Sequence, residues 1–362
     1  MKRLFCFILI VLSIIPYSVK AFDTSATSAI LMDMDSGRIL YSKDIHNVRT
    51  VASISKIMTC IVAIESGKLD EIVTIGDEIL PAYGSGIYIR QGEQLTLLDL
   101  LYGLMLRSGN DAALAIANFV GGDVDSFVEM MNSKAKEIGM KESEFNNPSG
   151  LDQEKGNYSS AYDMAILTSY AMKNETYRKI VSTKKYTLTT NMNSYAWYNK
   201  NRLLNSYKYT TGGKTGFTDK ARRTLVTTAS RDNLNLVVVT LNDGNDFNDH
   251  KDLYEEAFNN YFSYKILEEG EINVYDENYY TNSTLYIKEK FSYPLMKSEK
   301  SNLYLKIELN RNEKYQDGDI VGNVHVMQND KKIFTTEIYV QEKKQEHLKW
   351  YQRLAKWWKS LW

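Results

Sequence analysis

The chain has 362 residues, a formal net charge of −1 and the composition of an ordinary globular protein. That length allows two domains with sizeable cores, and the near-zero charge argues against nucleic acid or another polyanion as partner. Cys6 and Cys60 are the only cysteines and four scattered histidines show no zinc-binding spacing, so neither a disulfide framework nor a metal centre is expected.

Residues 1–21 read as a signal peptide, with Lys2 and Arg3, an apolar run over 4–15, Pro16, and Val19-Lys20-Ala21 with small residues where a signal peptidase reads. The run is too short to span a bilayer. Export with maturation after Ala21 is expected, leaving Cys60 as a small buried apolar residue among Ile57, Met58, Ile61 and Val62.

Residues 28–34 and 39–41, separated by Ser36-Gly37, read as a β-hairpin. It leads to a strongly apolar helix over 53–67 that carries Ser53 and Lys56 at its start. Residues three apart share a helix face, and the first turn of a helix welcomes negative charge. A lysine desolvated there, or crowded by another cation, loses its proton and can take one from a nearby hydroxyl, which is serine chemistry without histidine. The same spacing at Ser133/Lys136 and Ser182/Lys185 falls in charge-rich surroundings that read as solvated faces.

A second helix is expected over 95–105, with Thr96 as cap and Asp99 three residues later. Ser108-Gly109-Asn110 then reads as a tight loop between two buried helices, the next spanning 112–120. Gly121-Gly122 breaks that run, and 125–138 is a further amphipathic helix. The turn-rich stretch 145–152 precedes Tyr158-Ser159-Ser160, which starts a helix reaching about 172. From Tyr186 the pattern becomes strand.

Residues 210–218 set three glycines around Lys214, as in a strand whose backbone must approach a ligand closely. Residues 223–230 and 234–241 form a hairpin turning at 231–233, its second arm almost wholly apolar and therefore central. A closing helix is expected over 252–262. Alternation at Leu303, Leu305, Ile307, Leu309 and at Ile320, Gly322, Val324, Val326, with a turn at Asn329-Asp330, predicts a small all-β domain over 266–341, read as a spacer or partner-binding module.

In the tail, Trp350, Tyr351, Leu354, Trp357, Trp358 and Leu361 recur at helical spacing, with Lys349, Arg353, Lys356 and Lys359 opposite. An aromatic face beside a basic one suits a membrane interface, so 342–362 is expected to be a membrane-association helix. No apolar run of ~20 residues remains after the leader to cross a bilayer.

Ser53-x-x-Lys56, Ser108-Gly109-Asn110 and Lys214-Thr215-Gly216 occur in this order, and together they carry far more information than one motif. With 145–152 and the Tyr158-Ser159 helix start, the sequence resembles the low-molecular-mass penicillin-binding proteins that act as D-alanyl-D-alanine carboxypeptidases. The resemblance implies an α+β fold: a β-lactamase/transpeptidase-like domain over 22–265, with an antiparallel sheet carrying helices on both faces and an all-helical subdomain, then the β domain and the tail. It implies an exported bacterial enzyme at the outer face of the cytoplasmic membrane. This enzyme removes the terminal D-alanine from peptidoglycan stem pentapeptides through an acyl-enzyme, binds β-lactams covalently and needs no cofactor.

Carried over residue by residue, the resemblance makes Ser53 the nucleophile and Lys56 its base. Ser108 relays a proton to the departing D-alanine, and Asn110 holds the substrate's backbone amide. Lys214 supplies positive charge that favours a neutral Lys56. Thr215, with Gly216, Phe217 and Thr218 beside it, receives the substrate, and the amides of Ser53 and Phe217 receive the oxyanion. Arg222 stands where relatives usually carry glycine, and 242–251 lacks the arginine with which some members bind the substrate carboxylate, so that role is expected to fall on Lys214, Thr215 and Thr218. His250 is not expected to form a triad, because Lys56 already supplies a base. Two other readings stay open: a β-lactamase of the same fold, and a non-catalytic peptidoglycan-binding envelope protein.

Overall fold

The computed structural model describes residues 23–152, 155–274, 279–280, 283–310, 315–342 and 358. The expected signal peptide lies outside these residues, as does the expected tail helix apart from Glu342, which ends a strand, and Trp358, which is helical and 70% exposed. The described chain falls into two compact units. One contains residues up to 32, 39–230 and 236–256, and the other contains 33–38, 231–235 and the chain from 257 onward.

The chain enters as β1 (Ser28–Asp33), wholly buried, and returns antiparallel as β2 (Ile39–Lys43) after a turn at Gly37, whose φ of +71° favours glycine. A two-residue strand, β3 (Arg49–Thr50), then delivers a 3-10 turn, Ala52–Ser55, that runs straight into α1 (Lys56–Glu65). Ala52 is left-handed at φ +51°, an unfavourable conformation for a side-chain-bearing residue by about 1 kcal/mol, and it bends the chain sharply just before Ser53. Every residue of α1 except Glu65 is buried, so the helix that starts with the lysine is itself core.

Next come β4 (Ile72–Thr74) and β5 (Gln94–Thr96), a small ladder, and α2 (Leu97–Tyr102). The expected capping box is present: Thr96 Oγ1 accepts from the Asp99 amide at 3.0 Å, and Asp99 Oδ2 accepts from the Thr96 amide at 3.0 Å. The predicted helix does not stay α to its end. Gly103–Arg107 widens into a π turn that stops at Ser108 in the left-handed region, and α3 (Asn110–Gly121) begins two residues before the expected 112. Thus Asn110 heads a helix instead of sitting in a loop.

After α4 (Val124–Glu137), β6 (Tyr158–Ser159) pairs with β3, and α5 (Ala161–Ala171) follows, capped by Ser160. Sequence patterning passed over α6 (Glu175–Ser182), whose N-cap Asn174 accepts from the Tyr177 amide. A hairpin of β7 (Lys185–Thr189) and β8 (Ser194–Tyr198) and the short α7 (Leu203–Ser206) lead to β9 (Thr210–Thr218), β10 (Arg222–Arg231) and β11 (Leu234–Leu241). The sheet order is β2-β1-β11-β10-β9, so the apolar arm is central as expected. The closing helix, α8 (Asp246–Asn260), starts six residues earlier than 252, at Asp246.

Period-two alternation along β10 shows that helices cover both faces of the sheet. Thr224 donates to the Val51 carbonyl, and Thr228 reaches Met172, on one side. Thr227 contacts His250 and Tyr254 of α8 on the other.

The second unit is all β. β12 (Phe262–Leu267) pairs with β15 (Phe291–Leu295), so strand structure begins ahead of the expected boundary at 266. β13 (Gly270–Glu271), β14 (Ser283–Ile287), β16 (Leu303–Leu309), β17 (Ile320–Gln328) and β18 (Lys331–Glu342) form a sheet ordered β13-β14-β18-β17-β16. Val321, Val324, Val326, Ile338 and Val340 build its core. Asn329 and Asp330, both at positive φ, make the predicted turn. Two expected core residues lie outside it. Leu305 is 45% exposed because β16 is an edge strand, and Ile320 is 46% exposed because a register shift between Ile320 and Gly322 gives the inward position to Val321.

Candidate active site

The left-handed Ala52 projects Ser53 at the head of α1, where it remains partly accessible, while Lys56 one turn on is fully buried. Lys56 Nζ lies 3.0 Å from Ser53 Oγ and 2.7 Å from Asn110 Oδ1, and it also donates to the Ser149 carbonyl. The Asn110 amide orientation follows from its other contacts: Nδ2 donates to the Tyr83 carbonyl at 2.6 Å, which can only accept, so Oδ1 faces the lysine. The Asn110 backbone is held too, its N–H donating to the Ser85 carbonyl at 2.8 Å.

Two of the three Lys56 partners, an amide oxygen and a backbone carbonyl, are obligatory acceptors. In the neutral amine both N–H bonds go to them, and the lone pair is left for the Ser53 hydroxyl. Burial lowers the Lys56 pKa from 10.5 to about 7, assisted by the Lys200 cation and opposed by Asp111. Near neutral pH the unprotonated base is therefore well populated.

Lys214 is buried on β9 and donates to the carbonyl of Thr215 at 2.7 Å. Desolvation, then the charges of Lys56 and Lys200, push its pKa well down. A cation that lowers the Lys56 pKa is Lys200, a residue outside the three motifs. Lys200 sits in the polar run Asn199-Lys200-Asn201, carried no motif, and donates to Ser85 Oγ at 3.0 Å.

An open cleft of about 350 Å3 is lined by Ser53, Ser85, Ser108, Lys200, Arg202, Thr215, Gly216, Phe217, Arg223, Asp246 and Phe247. The three motifs thus meet, with Ser53, Ser108 and Thr215-Gly216-Phe217 on the wall and Lys56, Asn110 and Lys214 packed behind it. Gly216 is required here: a Cβ would lie 2.4 Å from Thr224 Oγ1 and 3.0 Å from the Ser53 amide nitrogen, so only a bare backbone passes this close to the serine. Thr218 is not among the lining residues. Its hydroxyl donates to Asp152 Oδ2 at 2.5 Å and accepts from the Ala221 amide, closing the β9–β10 turn. Arg222 resolves the expected conflict with glycine by adopting glycine's conformation, φ +59°, while its guanidinium stays over the exposed Phe217 ring.

The stretch 145–152 proves to be part of the site. Asn147 Oδ1 accepts from the amides of Ser149 and Gly150, and Asn157 holds Asn147, which aims the Ser149 carbonyl at Lys56. Gly150, at φ +79°, leaves no room for a Cβ, which would fall 2.1 Å from the Ala52 carbonyl oxygen. His250 lies away from the serine, fully buried between Thr227 Oγ1 at 2.7 Å and Thr240 Oγ1 at 3.0 Å, with burial lowering its pKa to about 3. It forms no triad.

A serine hydroxyl paired with a buried lysine, beside a sheet-edge strand carrying Lys-Thr-Gly, defines the class of penicillin-recognising serine acyl-transfer proteins. Residues 16–245 match the family of D-alanyl-D-alanine carboxypeptidases, and 261–346 match the C-terminal domain of penicillin-binding protein 5. The chain belongs to the D-alanyl-D-alanine carboxypeptidase family. It is 36% identical over 256 residues to D-alanyl-D-alanine carboxypeptidase DacF of Bacillus subtilis, covering 66% of this chain and 66% of that protein. To DacD of Escherichia coli it is 34% identical over 240 residues, covering 63% and 61%. The chain thus spans just under two thirds of the length of these curated relatives. The crystal structure of penicillin-binding protein 5 from Haemophilus influenzae superposes with a TM-score of 0.76 at 30% identity, covering 90% of this chain and 99% of that one.

Proposed function

We propose that the protein is a serine-type D-Ala-D-Ala carboxypeptidase that trims peptidoglycan stem peptides. The observation carrying this reading is the 3.0 Å contact between Ser53 Oγ and an amine whose other bonds leave its lone pair for that hydroxyl. Neutral Lys56 takes the Ser53 proton as Oγ attacks the carbonyl carbon of the terminal D-Ala-D-Ala bond. The amides of Ser53 and Phe217 receive the oxyanion, where one donor is typically worth ~3 kcal/mol. The proton then passes, with Ser108 as relay, to the departing amine, releasing D-alanine and leaving the peptide esterified on Ser53. Water attacks the ester and gives a proton to Lys56, which passes it to the departing Ser53 Oγ, so the shortened peptide leaves and the serine hydroxyl and neutral amine are restored. Asn110, its amide bonded to Lys56 and to the Tyr83 carbonyl, orients the base in place of the substrate-holding role the resemblance implies, and Thr215 and Gly216 present the edge of β9 to the substrate. Lys214 fixes that strand. A β-lactam acylates Ser53 by the same steps and leaves slowly.

The carboxylates support a peptidase over a β-lactamase, which needs a further carboxylate to activate the deacylating water. Asp246, the acid on the cleft wall, is paired with Arg223. Glu142 contacts His46, and Glu144 bridges by its backbone to Tyr158. The complete trio and its hydrogen-bonded base also support an enzyme over a binding protein.

We further propose export by residues 1–21 and attachment to the outer face of the cytoplasmic membrane through 342–362, with the β unit as spacer or partner-binding module. The test of the enzymatic reading is to label the protein with a fluorescent penicillin, map the modified peptide, and follow D-alanine release from a D-Ala-D-Ala peptide. Label on Ser53 and loss of release in Ser53→Ala are expected. Release at the wild-type rate by Ser53→Ala would overturn it.

A further inference from the structure

The cleft that holds Ser53 also carries Lys200, Arg202 and Arg223, with Asp246 among them. Their situations differ. Arg223 is neutralised by Asp246, its Nε 3.1 Å from Oδ2 and its Nη2 on Oδ1. Lys200 already donates to Ser85 Oγ. Arg202 is exposed, and among the described residues no acceptor engages its guanidinium, which lies 4.6 Å from the centroid of the Phe247 ring. The same ring also has the Arg223 guanidinium 5.8 Å from its centroid, and the Phe247 amide donates to Asp246 Oδ1 at 2.7 Å. Arg202 is therefore a planar, always-charged donor oriented by an anchored ring, with its N–H fork still available to an anion.

In a peptide ending in D-Ala-D-Ala the terminal carboxylate is borne by the Cα attached to the scissile nitrogen, so it enters the cleft with the bond being cut. The residues expected to receive it are partly committed elsewhere: Lys214 is buried and bonded to the Thr215 carbonyl, Thr218 is bonded to Asp152, and 242–251 offers no arginine. We propose that Arg202, laid against Phe247, recognises the terminal carboxylate of the peptide cleaved at Ser53, with the Arg223–Asp246 pair keeping that ring in place. This rests on the carboxypeptidase reading above. A guanidinium and a carboxylate make two parallel charge-assisted hydrogen bonds, which a lysine at the same position cannot reproduce.

The test compares kcat/KM for two peptides of one sequence ending in D-Ala-D-Ala, one with a free carboxylate and one with a terminal carboxamide. The wild type is expected to prefer the acid. Arg202→Gln is expected to lose about 10- to 100-fold on the acid peptide, mostly through KM, and to leave the carboxamide peptide nearly unchanged, so the preference collapses. Arg202→Lys is expected to fall between the two. An unchanged preference in Arg202→Gln, or an equal loss on both peptides as a merely structural role would give, overturns the assignment while the carboxypeptidase reading stands. Failure of the wild type to cleave either peptide overturns both.

Discussion

Lys56 and Asn110, 54 positions apart in sequence, meet at 2.7 Å, and that bond helps determine which way the lysine amine faces. With Asn110 Oδ1 and the Ser149 carbonyl taking its N–H groups, the lone pair has Ser53 as its remaining partner. Asn110→Ala removes one of the two acceptors. Acylation by a fluorescent penicillin is expected to slow by about 10²-fold, the usual range for a misplaced general base, with the label still on Ser53. Lys56→Ala is expected to slow it by about 10³-fold or more.

The acid limb of the acylation rate should report Lys56. Its pKa of about 7 means that the rate rises through neutral pH, as the amine loses its proton, and levels off above. Lys200 lowers that pKa and Asp111 raises it. Lys200→Gln should therefore move the limb to higher pH, and Asp111→Asn should move it to lower pH. A shift of both variants in the same direction would contradict the assigned electrostatics.

Gly150→Ala places a methyl group 2.1 Å from the Ala52 carbonyl oxygen in a left-handed backbone. A loss of about 3 kcal/mol in unfolding free energy is expected, measured by denaturant melts. Acylation should also slow below the melting transition, because the next carbonyl back, that of Ser149, orients Lys56.

His250, buried between Thr227 and Thr240, is expected to affect stability and not the acylation chemistry. Its folded pKa is depressed from 6.5 to about 3, so the unfolded chain binds a proton in this window and the folded chain does not. Stability is then fully present above pH 6.5 and is lost as pH falls towards 3, at up to about 1.4 kcal/mol per pH unit. His250→Gln should flatten this acid slope while leaving the acylation rate at neutral pH unchanged.

The proposed attachment through the tail predicts that the full chain pellets with membranes and that a protein lacking 350–362 stays in the supernatant, with penicillin labelling intact. Pelleting of the truncated protein would contradict membrane attachment through the tail.

Much of this protein was legible in one dimension because the relevant signals are local. The Thr96–Asp99 capping box lies within one helical turn, the turns at Gly37 and Asn329-Asp330 are set by residues that tolerate positive φ, and the apolar run 234–241 marks a strand buried on both faces. Ser53 and Lys56 face each other because three residues bring side chains round to the same helix face. What stayed hidden was long-range. Leu305 has the alternation of a core strand and lies on an edge, since strand order is not written in any one strand. Arg222 stands at a position that favours glycine and is tolerated because it points outward in the left-handed region. Lys200, Arg202 and the Ser149 carbonyl have no motif. Whether a lysine is a solvated charge or the cation that lowers a neighbour's pKa depends on burial and on the groups across the cleft, quantities that exist only once the 199–202 turn, the 145–152 loop and the head of α1 are packed together.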